Sequence, residues 1–168
     1  MKKMWRFVFV LSCLVLLISN AKAQKIKVCA QTSTLNAAIV QQVSAVIGKK
    51  VDRGECWDLA ALVLDSNHCK WNHDYVYGKL INHTKGDCIM PGDIVQFEGV
   101  ILQHQEGNTI IKDKYLHHTA VIYSIDANSG LIKLAQQNTG DHGKIVSIDP
   151  FHFAWIQKGR VMVYRATN

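Results

Sequence analysis

The sequence is poor in proline and contains no internal repeat or low-complexity tract. Two prolines in 168 residues, with 48% hydrophobic and 19% charged residues, exclude a collagen-like repeat and are not the composition of a disordered tail. Beyond the first 23 residues, no segment is apolar enough to cross a membrane. The composition therefore predicts one compact globular domain.

The sequence also has little net charge outside its N-terminus. Four of the 19 basic residues, and none of the 13 acidic ones, lie within residues 1–23, which leaves a net charge of +2 for the rest of the chain. A charge this small gives no electrostatic basis for binding nucleic acid. We therefore expect no nucleic-acid partner.

The N-terminus has the three parts of a secretory signal peptide. Basic residues precede the apolar stretch Phe7–Ile18, and the small-x-small cleavage pattern Ala21-Lys22-Ala23 follows it. An apolar core of about a dozen residues is too short to span a bilayer. We predict a signal peptide over residues 1–23, a single domain over residues 24–168, and a secreted or periplasmic protein without stable membrane insertion after cleavage.

Four cysteines remain after this cleavage, and an even number outside the cytosol indicates disulfide bonding. We predict a bridge between Cys69 and Cys88, because both lie in a polar segment rich in histidine, asparagine and glycine where the chain can bend. Cys29 follows apolar residues and is predicted to be a buried core cysteine; the alternative pairs it with another cysteine.

The spacing of histidines and cysteines in the polar segment fits no standard zinc site, so we expect neither a metal nor a cofactor.

The apolar pattern changes from helical to alternating along the chain. Thr34–Ile47 has an apolar residue every three to four positions and Cys56–Leu64 is densely apolar, so both are predicted helices. Residues 103–114 are predicted to be a polar connection within a region of strands. The predicted strands are Ile94–Ile101, His117–Ile125, Leu131–Asn138, Gly143–Ile148 and Arg160–Tyr164. Helices followed by antiparallel strands are typical of an α+β domain.

Cys56, at the first turn of the second predicted helix, is the candidate nucleophile. Free backbone N–H groups and the positive end of the helix dipole lower the pKa of a thiol there and can also hold an oxyanion. The base is His117 or His118, which lie on opposite faces of one strand. A hairpin centred on Asn128 pairs residues whose numbers sum to 256, and therefore places Asn138 opposite His118, where its oxygen can fix the imidazole tautomer. On this register Gln136 is the diagonal neighbour and a second candidate for orienting His118.

Four stretches together resemble the cysteine, histidine-dependent amidohydrolase/peptidase (CHAP) domains, which are related to the NlpC-type cell-wall peptidases and have a papain-like fold. These stretches are Gly54–Ala60, Pro91–Phe97, His118–Ile122 and Gln136–Asn138. The resemblance extends over roughly residues 35–164. The cysteine block is also similar to the cysteine-proteinase-fold domains at the C-termini of some fungal actin-patch proteins.

The resemblance implies Cys56 as nucleophile, His118 as base, and Gln136 or Asn138 as the orienting residue. It departs from the CHAP pattern at Gln136, where many members have glutamate. The resulting expectation is an exported thiol hydrolase that needs no cofactor and cleaves amide bonds, with peptidoglycan peptides as substrate. The alternatives are a peptide- or glycan-binding module on the same fold, which does not cut its ligand, and a hydrolytic toxin or effector.

Overall fold

The computed structural model describes residues 26–168, and the predicted signal peptide lies outside the described residues. Helix α1 spans Thr34–Val46 and helix α2 spans Cys56–Ser66. The strands are β1 (Lys79–Ile81), β2 (Ile94–Glu106), β3 (Thr109–Ile125), β4 (Ile132–Gln136), β5 (Ser147–Phe151) and β6 (Ile156–Arg165). In this part of the chain, no helix has the length and apolar character needed to span a membrane.

The six strands form one sheet in the order β1-β6-β2-β3-β4-β5, and every neighbouring pair is antiparallel. The predicted α+β fold is therefore confirmed. The predicted polar connection over residues 103–114 is wrong, because these residues extend β2 and β3 into a long hairpin that turns at Gly107 and Asn108. Most of the exposed residues near the turn of this hairpin are polar, which suggested a loop. Exposed polar residues are nevertheless compatible with a strand that has solvent on one or both faces.

The two helices pack on one face of the sheet. Ile39 and Val43 of α1, and Leu59 and Val63 of α2, share a buried cluster with Val121 of β3. A second buried cluster contains side chains of all six strands and none from the helices; its members include Val95, Phe97, Ala120, Leu134 and Phe151. Because alternate residues of a strand point to opposite faces, β3 contributes to both clusters.

A buried carboxylate, Asp93, links the sheet to α1 beside this core through an ion pair with Arg165 and a hydrogen bond from Asn36. Asp93 is fully buried, and its two carboxylate oxygens accept hydrogen bonds from Arg165 Nε and Nη2 at 2.9 and 2.8 Å. The Asn36 amide of α1 donates to the same carboxylate at 2.9 Å and to the Pro91 carbonyl at 3.0 Å. A buried carboxylate needs this number of partners, since an unpaired one would destabilise the fold strongly.

The disulfide bond joins Cys29 to Cys88, so the predicted Cys69–Cys88 bridge is wrong. Cys29 is consequently not a free core cysteine, and Cys56 and Cys69 are the free cysteines of residues 26–168. Val28 and Ile89 form a parallel bridge that brings Cys29 and Cys88 together, with their Cα atoms 4.9 Å apart. The two cysteines are 59 residues apart in sequence, and this pairing depends on a tertiary contact that local composition does not reveal.

We expect Cys88→Ser to lower the free energy of unfolding by about 4 kcal/mol, because the bridge closes a long loop and so restricts the unfolded chain. Cys69→Ser is the matched control and should change it by less than about 1 kcal/mol, since Cys69 is only half-buried and unbridged. Urea unfolding of both variants measures the difference. Equal losses in the two variants would contradict the assigned bridge.

Candidate active site

Cys56 is the first residue of α2, and the loop before it is held in a fixed shape. The Glu55 backbone N–H donates to Asp58 Oδ2 at 2.9 Å, which caps the start of the helix. Gly54 has a φ of +85°, and a Cβ at this position would lie 2.6 Å from Lys144 Cβ. Only glycine combines this backbone conformation with such a close neighbour. The turn therefore presents Cys56 at a defined place at the helix N-terminus.

Gln137 holds the same loop from the sheet side. Its side chain is fully buried just after β4 ends. Its amide group donates to the carbonyls of Val51 and Glu55 at 3.2 and 2.7 Å, and its oxygen accepts from the Val51 N–H at 3.2 Å. All three contacts are to backbone, so Gln137 positions the loop before Cys56 and takes no direct part in chemistry.

Burial raises the pKa of the Cys56 thiol above its usual range. The backbone N–H groups of Thr119, Trp57 and Cys56 itself lower the pKa, and the charge of Glu55 raises it, but burial is the largest effect. The expected lowering of the pKa by the helix N-terminus is therefore outweighed. Cys56 is a thiol at neutral pH, and its reaction as a nucleophile needs a base.

We expect iodoacetamide to alkylate Cys56 slowly at pH 7, with a rate that still rises above pH 9.0, the ordinary value for a thiol. The thiolate is the reactive form, and a raised pKa keeps it scarce until the pH is alkaline. Peptide mapping of protein alkylated over a range of pH measures this rate separately for Cys56. A rate that reaches its plateau below pH 8 would contradict the raised pKa.

His117 and His73 both line a cavity with Cys56, and His117 is the one of the two whose ring lies within hydrogen-bond distance of a carboxylate. The cavity has a volume of about 440 Å³, and its lining includes Cys56, Trp57, Tyr75, His117 and Asn138. The Tyr75 ring meets the His117 ring edge-on at 3.8 Å between centroids. The His117 side chain remains 38% exposed, so the imidazole is accessible from the cavity.

Glu98 fixes the orientation of the His117 ring. It faces His117 across the β2–β3 pair, and its carboxylate oxygens lie 2.8 and 2.9 Å from His117 Nδ1. A carboxylate only accepts, so Nδ1 carries the hydrogen and Nε2 of the neutral ring keeps its lone pair. Burial raises the pKa of Glu98, but the hydrogen bonds from His117 and Gln96 outweigh it and hold this pKa below its usual range.

A network of buried hydrogen bonds holds the Glu98 carboxylate in place. Gln96 Nε2 donates to Glu98 Oε1 at 2.9 Å, and Gln96 Oε1 accepts from the Thr119 hydroxyl at 2.6 Å. The Tyr77 hydroxyl also donates to Gln96 Oε1, at 3.2 Å, and Tyr77 is fully buried. The network fixes the Gln96 amide and hence the carboxylate that orients His117.

His118, the histidine predicted to be the base, lies on the other face of the sheet. It is 4% exposed, stacks on Tyr115 with 4.7 Å between ring centroids, and donates from Nε2 to Gln136 Oε1 at 2.9 Å. Gln136 in turn donates to Asp149. The predicted division of His117 and His118 between opposite faces is correct, but α2 packs on the face that carries His117, Thr119 and Val121. The predicted placement of His118 beside Cys56 is therefore wrong.

Asn138 does not orient His118 as predicted. The predicted register holds at Val121–Ala135 and Ile122–Leu134, but β4 ends at Gln136 before it reaches Asn138. Asn138 has a φ of +62°, and its amide donates to Glu55 Oε2 at 2.7 Å. The structure thus brings Asn138 to the Cys56 cavity, as a polar lining residue, and leaves Gln136 as the partner of His118.

Glu98 and Gln96 are site residues that sequence reasoning missed, although the sequence contains a signal for their cross-strand partners. Gly107 and Asn108 are turn-forming residues, and a two-residue hairpin turn there pairs residues whose numbers sum to 215. This register places Glu98 opposite His117, as observed. The same register pairs Gln96 with Thr119, whereas the contact of Gln96 with Tyr77 depends on tertiary packing that the sequence does not display. Within residues 26–168, no three histidine, cysteine or acidic side chains are grouped so as to hold a metal ion.

Comparison with known proteins identifies the family. Residues 19–168 match the model of the AIM3/BBC1 cysteine proteinase-fold domain. The crystal structure of Ly7917 aligns with a TM-score of 0.45 and 16% sequence identity, over 79% of this chain and 62% of that one. No curated protein sequence matches the chain. With nearly its whole length matched by the family model, the chain belongs to the AIM3/BBC1 cysteine proteinase-fold domain family.

Proposed function

We propose that the protein is a thiol hydrolase in which Cys56 is the nucleophile, His117 the base and Glu98 the residue that positions His117. The observation that carries this proposal is that Cys56 and His117 line the same cavity while Glu98 fixes the His117 tautomer. This replaces His118, Asn138 and Gln136 by His117 and Glu98 in the catalytic roles. A nucleophile, a base and an acidic residue that orients the base form the general constellation for nucleophilic catalysis, which is recognised by the roles of its members.

The chemistry begins with a neutral thiol. His117 Nε2 takes the thiol proton as Cys56 Sγ attacks the carbonyl carbon, and the backbone N–H groups at the start of α2 favour the negative charge that develops. The imidazolium then protonates the leaving amine as the C–N bond breaks, which leaves a thioester on Cys56. Water, deprotonated by His117, hydrolyses the thioester and restores the thiol. Glu98 stabilises the imidazolium in both stages.

We propose peptidoglycan peptides as the substrate and an exported site of action. The CHAP- and NlpC-like motifs support the substrate, since the domains they resemble include cell-wall peptidases. The Cys29–Cys88 bridge supports export, because disulfides persist in oxidising compartments. The cavity is open and has room for a peptide segment beside Cys56.

The test is incubation of the protein with purified peptidoglycan and identification of released fragments by mass spectrometry. We expect new free amino and carboxyl ends from the native chain and none from Cys56→Ser. Cys69→Ser, which changes the other free cysteine of residues 26–168, should release the same fragments as the native chain. Release that survives Cys56→Ser, or an absence of fragments from the native chain, would contradict the proposal.

A binding module on the same fold is the second candidate. The raised pKa of Cys56 favours it, because a thiol held neutral by burial is less reactive than the thiolates of many cysteine hydrolases. Sedimentation with insoluble peptidoglycan separates the two candidates. A binding module would sediment equally as the native chain and as Cys56→Ser, and neither would release fragments.

A further inference from the structure

Strand β3 has a long free edge on the side away from β2. The strand spans Thr109–Ile125, but β4 pairs with it only from Val121 to Ile125. Within residues 26–168, no other strand pairs with this edge at residues 109–118, and no backbone hydrogen bond from a loop reaches it. A free edge presents unpaired N–H and C=O groups, with which another extended chain can pair.

A groove of about 390 Å³ runs along this free edge. One wall is formed by residues 111–115 of β3, and the lining also includes residues 139–142, which follow the end of β4. Because β4 is the neighbour of β3, the segment that continues from it forms the opposite wall. His142 lies 3.1 Å from Asp149 of β5, which ties this wall to the sheet. Neither Cys56 nor His117 lines the groove, so the proposed hydrolysis does not use it.

The side chains of β3 alternate along the groove between two environments. Ile111, Asp113 and Tyr115 are half-buried, whereas the intervening Lys112 and Lys114 are exposed. The Tyr115 ring packs on the Phe97 ring of the apolar floor, with 5.3 Å between centroids. Opposed residues of neighbouring strands lie on the same face, so an added strand would continue this alternation. Its alternate side chains would meet the apolar floor and the lysine ammonium groups.

Exposed apolar side chains lie at both ends of this segment. Ile110 and Leu116 are 60% and 71% exposed, the highest values among the large hydrophobic residues of the part of the chain that the structure describes. They belong to the same ten residues that lack a partner strand. An exposed strand edge with apolar side chains is typical of a surface that another chain covers.

A second copy of this chain is a poor occupant of the groove. Antiparallel pairing of two β3 strands about the centre of the groove would place Asp113 opposite Asp113 and Lys112 opposite Lys114. Like charges that are directly opposed destabilise strand pairing. The wall formed by residues 139–142 also stands where the rest of a second domain would have to lie. A single extended chain meets neither obstacle.

We propose that the groove binds an extended segment of a partner protein as an added strand beside β3. Main-chain hydrogen bonds to the free edge supply the affinity, and alternate side chains supply the specificity. The segment carries acidic side chains opposite Lys112 and Lys114, because opposite charges on neighbouring strands stabilise the pair. It carries apolar side chains opposite Ile111 and Tyr115. Binding is independent of Cys56 and of the proposed hydrolysis.

Calorimetric titration of the purified chain with short peptides tests the proposal. The probe is acetyl-Val-Glu-Thr-Glu-Val-amide, whose symmetric sequence gives the same side-chain pattern in either strand direction. The comparison peptide has lysine in place of both glutamates. We expect saturable binding of the glutamate peptide, about tenfold or more tighter than that of the lysine peptide.

Two N-methylated forms of the glutamate peptide test the main-chain hydrogen bonds. One form is methylated at both glutamates, and the other at the threonine and the last valine. Only every second N–H group of a strand faces a given neighbour, so one form should bind about tenfold or more weaker than the other. Affinities of the two forms within about twofold of each other would overturn the added strand.

Lys112→Glu/Lys114→Glu should reverse the preference and bind the lysine peptide more tightly. Lys70→Glu/Lys85→Glu makes the same charge change at exposed lysines outside the groove and, as the matched control, should keep the native preference. Cys56→Ser should bind like the native chain, which separates this proposal from the proposed hydrolysis. Absence of saturable glutamate-peptide binding to the native chain would overturn the proposal. So would an unchanged preference in the groove variant, or cleavage of the bound peptide by the native chain.

Discussion

Replacing His117 by glutamine is expected to slow peptide-bond hydrolysis by about 10³-fold or more, because the variant loses its general base while the pKa of the half-buried Cys56 thiol stays raised. Glutamine is close to histidine in size, and its amide can still donate to Glu98. The decrease in rate therefore measures the loss of proton transfer by His117 and not a change in packing. Quantification of peptide fragments released per unit time measures the rate.

His118→Gln is the matched control, since it makes the same substitution at the adjacent position on the other face of the sheet. Its amide can still donate to Gln136, which keeps the buried oxygen of Gln136 satisfied. We expect its hydrolysis rate to stay within about threefold of the native rate, with folding checked by circular dichroism. A folded His118→Gln protein that is inactive, beside an active His117→Gln protein, would reverse the assignment.

Glu98→Gln is expected to lower the rate of hydrolysis by about 10²- to 10⁴-fold. A neutral amide does not stabilise the imidazolium, and it does not restrict His117 to the tautomer with the hydrogen on Nδ1. The amide of the variant can donate to Nδ1 and so favour the tautomer with the hydrogen on Nε2, which cannot accept the thiol proton. Loss of orientation without loss of binding should appear in kcat rather than KM.

Asp87→Asn is the control for this loss of a carboxylate. Asp87 is exposed and accepts from the Asn82 N–H at 2.9 Å, a bond that asparagine can preserve. Its rate should equal the native rate. A Glu98→Gln protein with native kcat would show that His117 does not depend on this carboxylate, and a larger loss in Gln136→Ala would return the orienting role to Gln136.

Much of the fold follows from local patterns in the sequence. The two helices begin at the predicted residues, Thr34 and Cys56, because each has a helical apolar pattern preceded by a capping or turn-forming residue. The predicted register of the β3–β4 hairpin is correct at Val121–Ala135 and Ile122–Leu134, whereas the pairs next to the turn are shifted by one residue across an irregularity between Ile122 and Ser124. These features depend on neighbours in the chain and on strand periodicity, which a sequence displays directly.

Local patterns in the sequence do not predict which face of the sheet lies beside Cys56. Periodicity separates His117 from His118 but does not say which side α2 covers, since Val121 and Ile122 are equally apolar and both are fully buried. The alternative in which Cys29 pairs with another cysteine is confirmed, but its partner Cys88 was not identified, and the contact of Asn138 with Glu55 was also missed. Each of them depends on segments that meet only after the whole domain has packed.

The most direct test of the Cys56–His117 assignment is acylation by 4-nitrophenyl acetate, which needs no knowledge of the natural substrate. The acetylated residue is located by peptide mapping, and the release of nitrophenolate gives the rate for the native chain, His117→Gln and His118→Gln. The account predicts an acetyl group on Cys56 at similar rates in the native chain and His118→Gln, and acylation slowed by about 10²-fold or more in His117→Gln. Unchanged acylation of Cys56 in His117→Gln, or acetylation at another residue in the native chain, would contradict it.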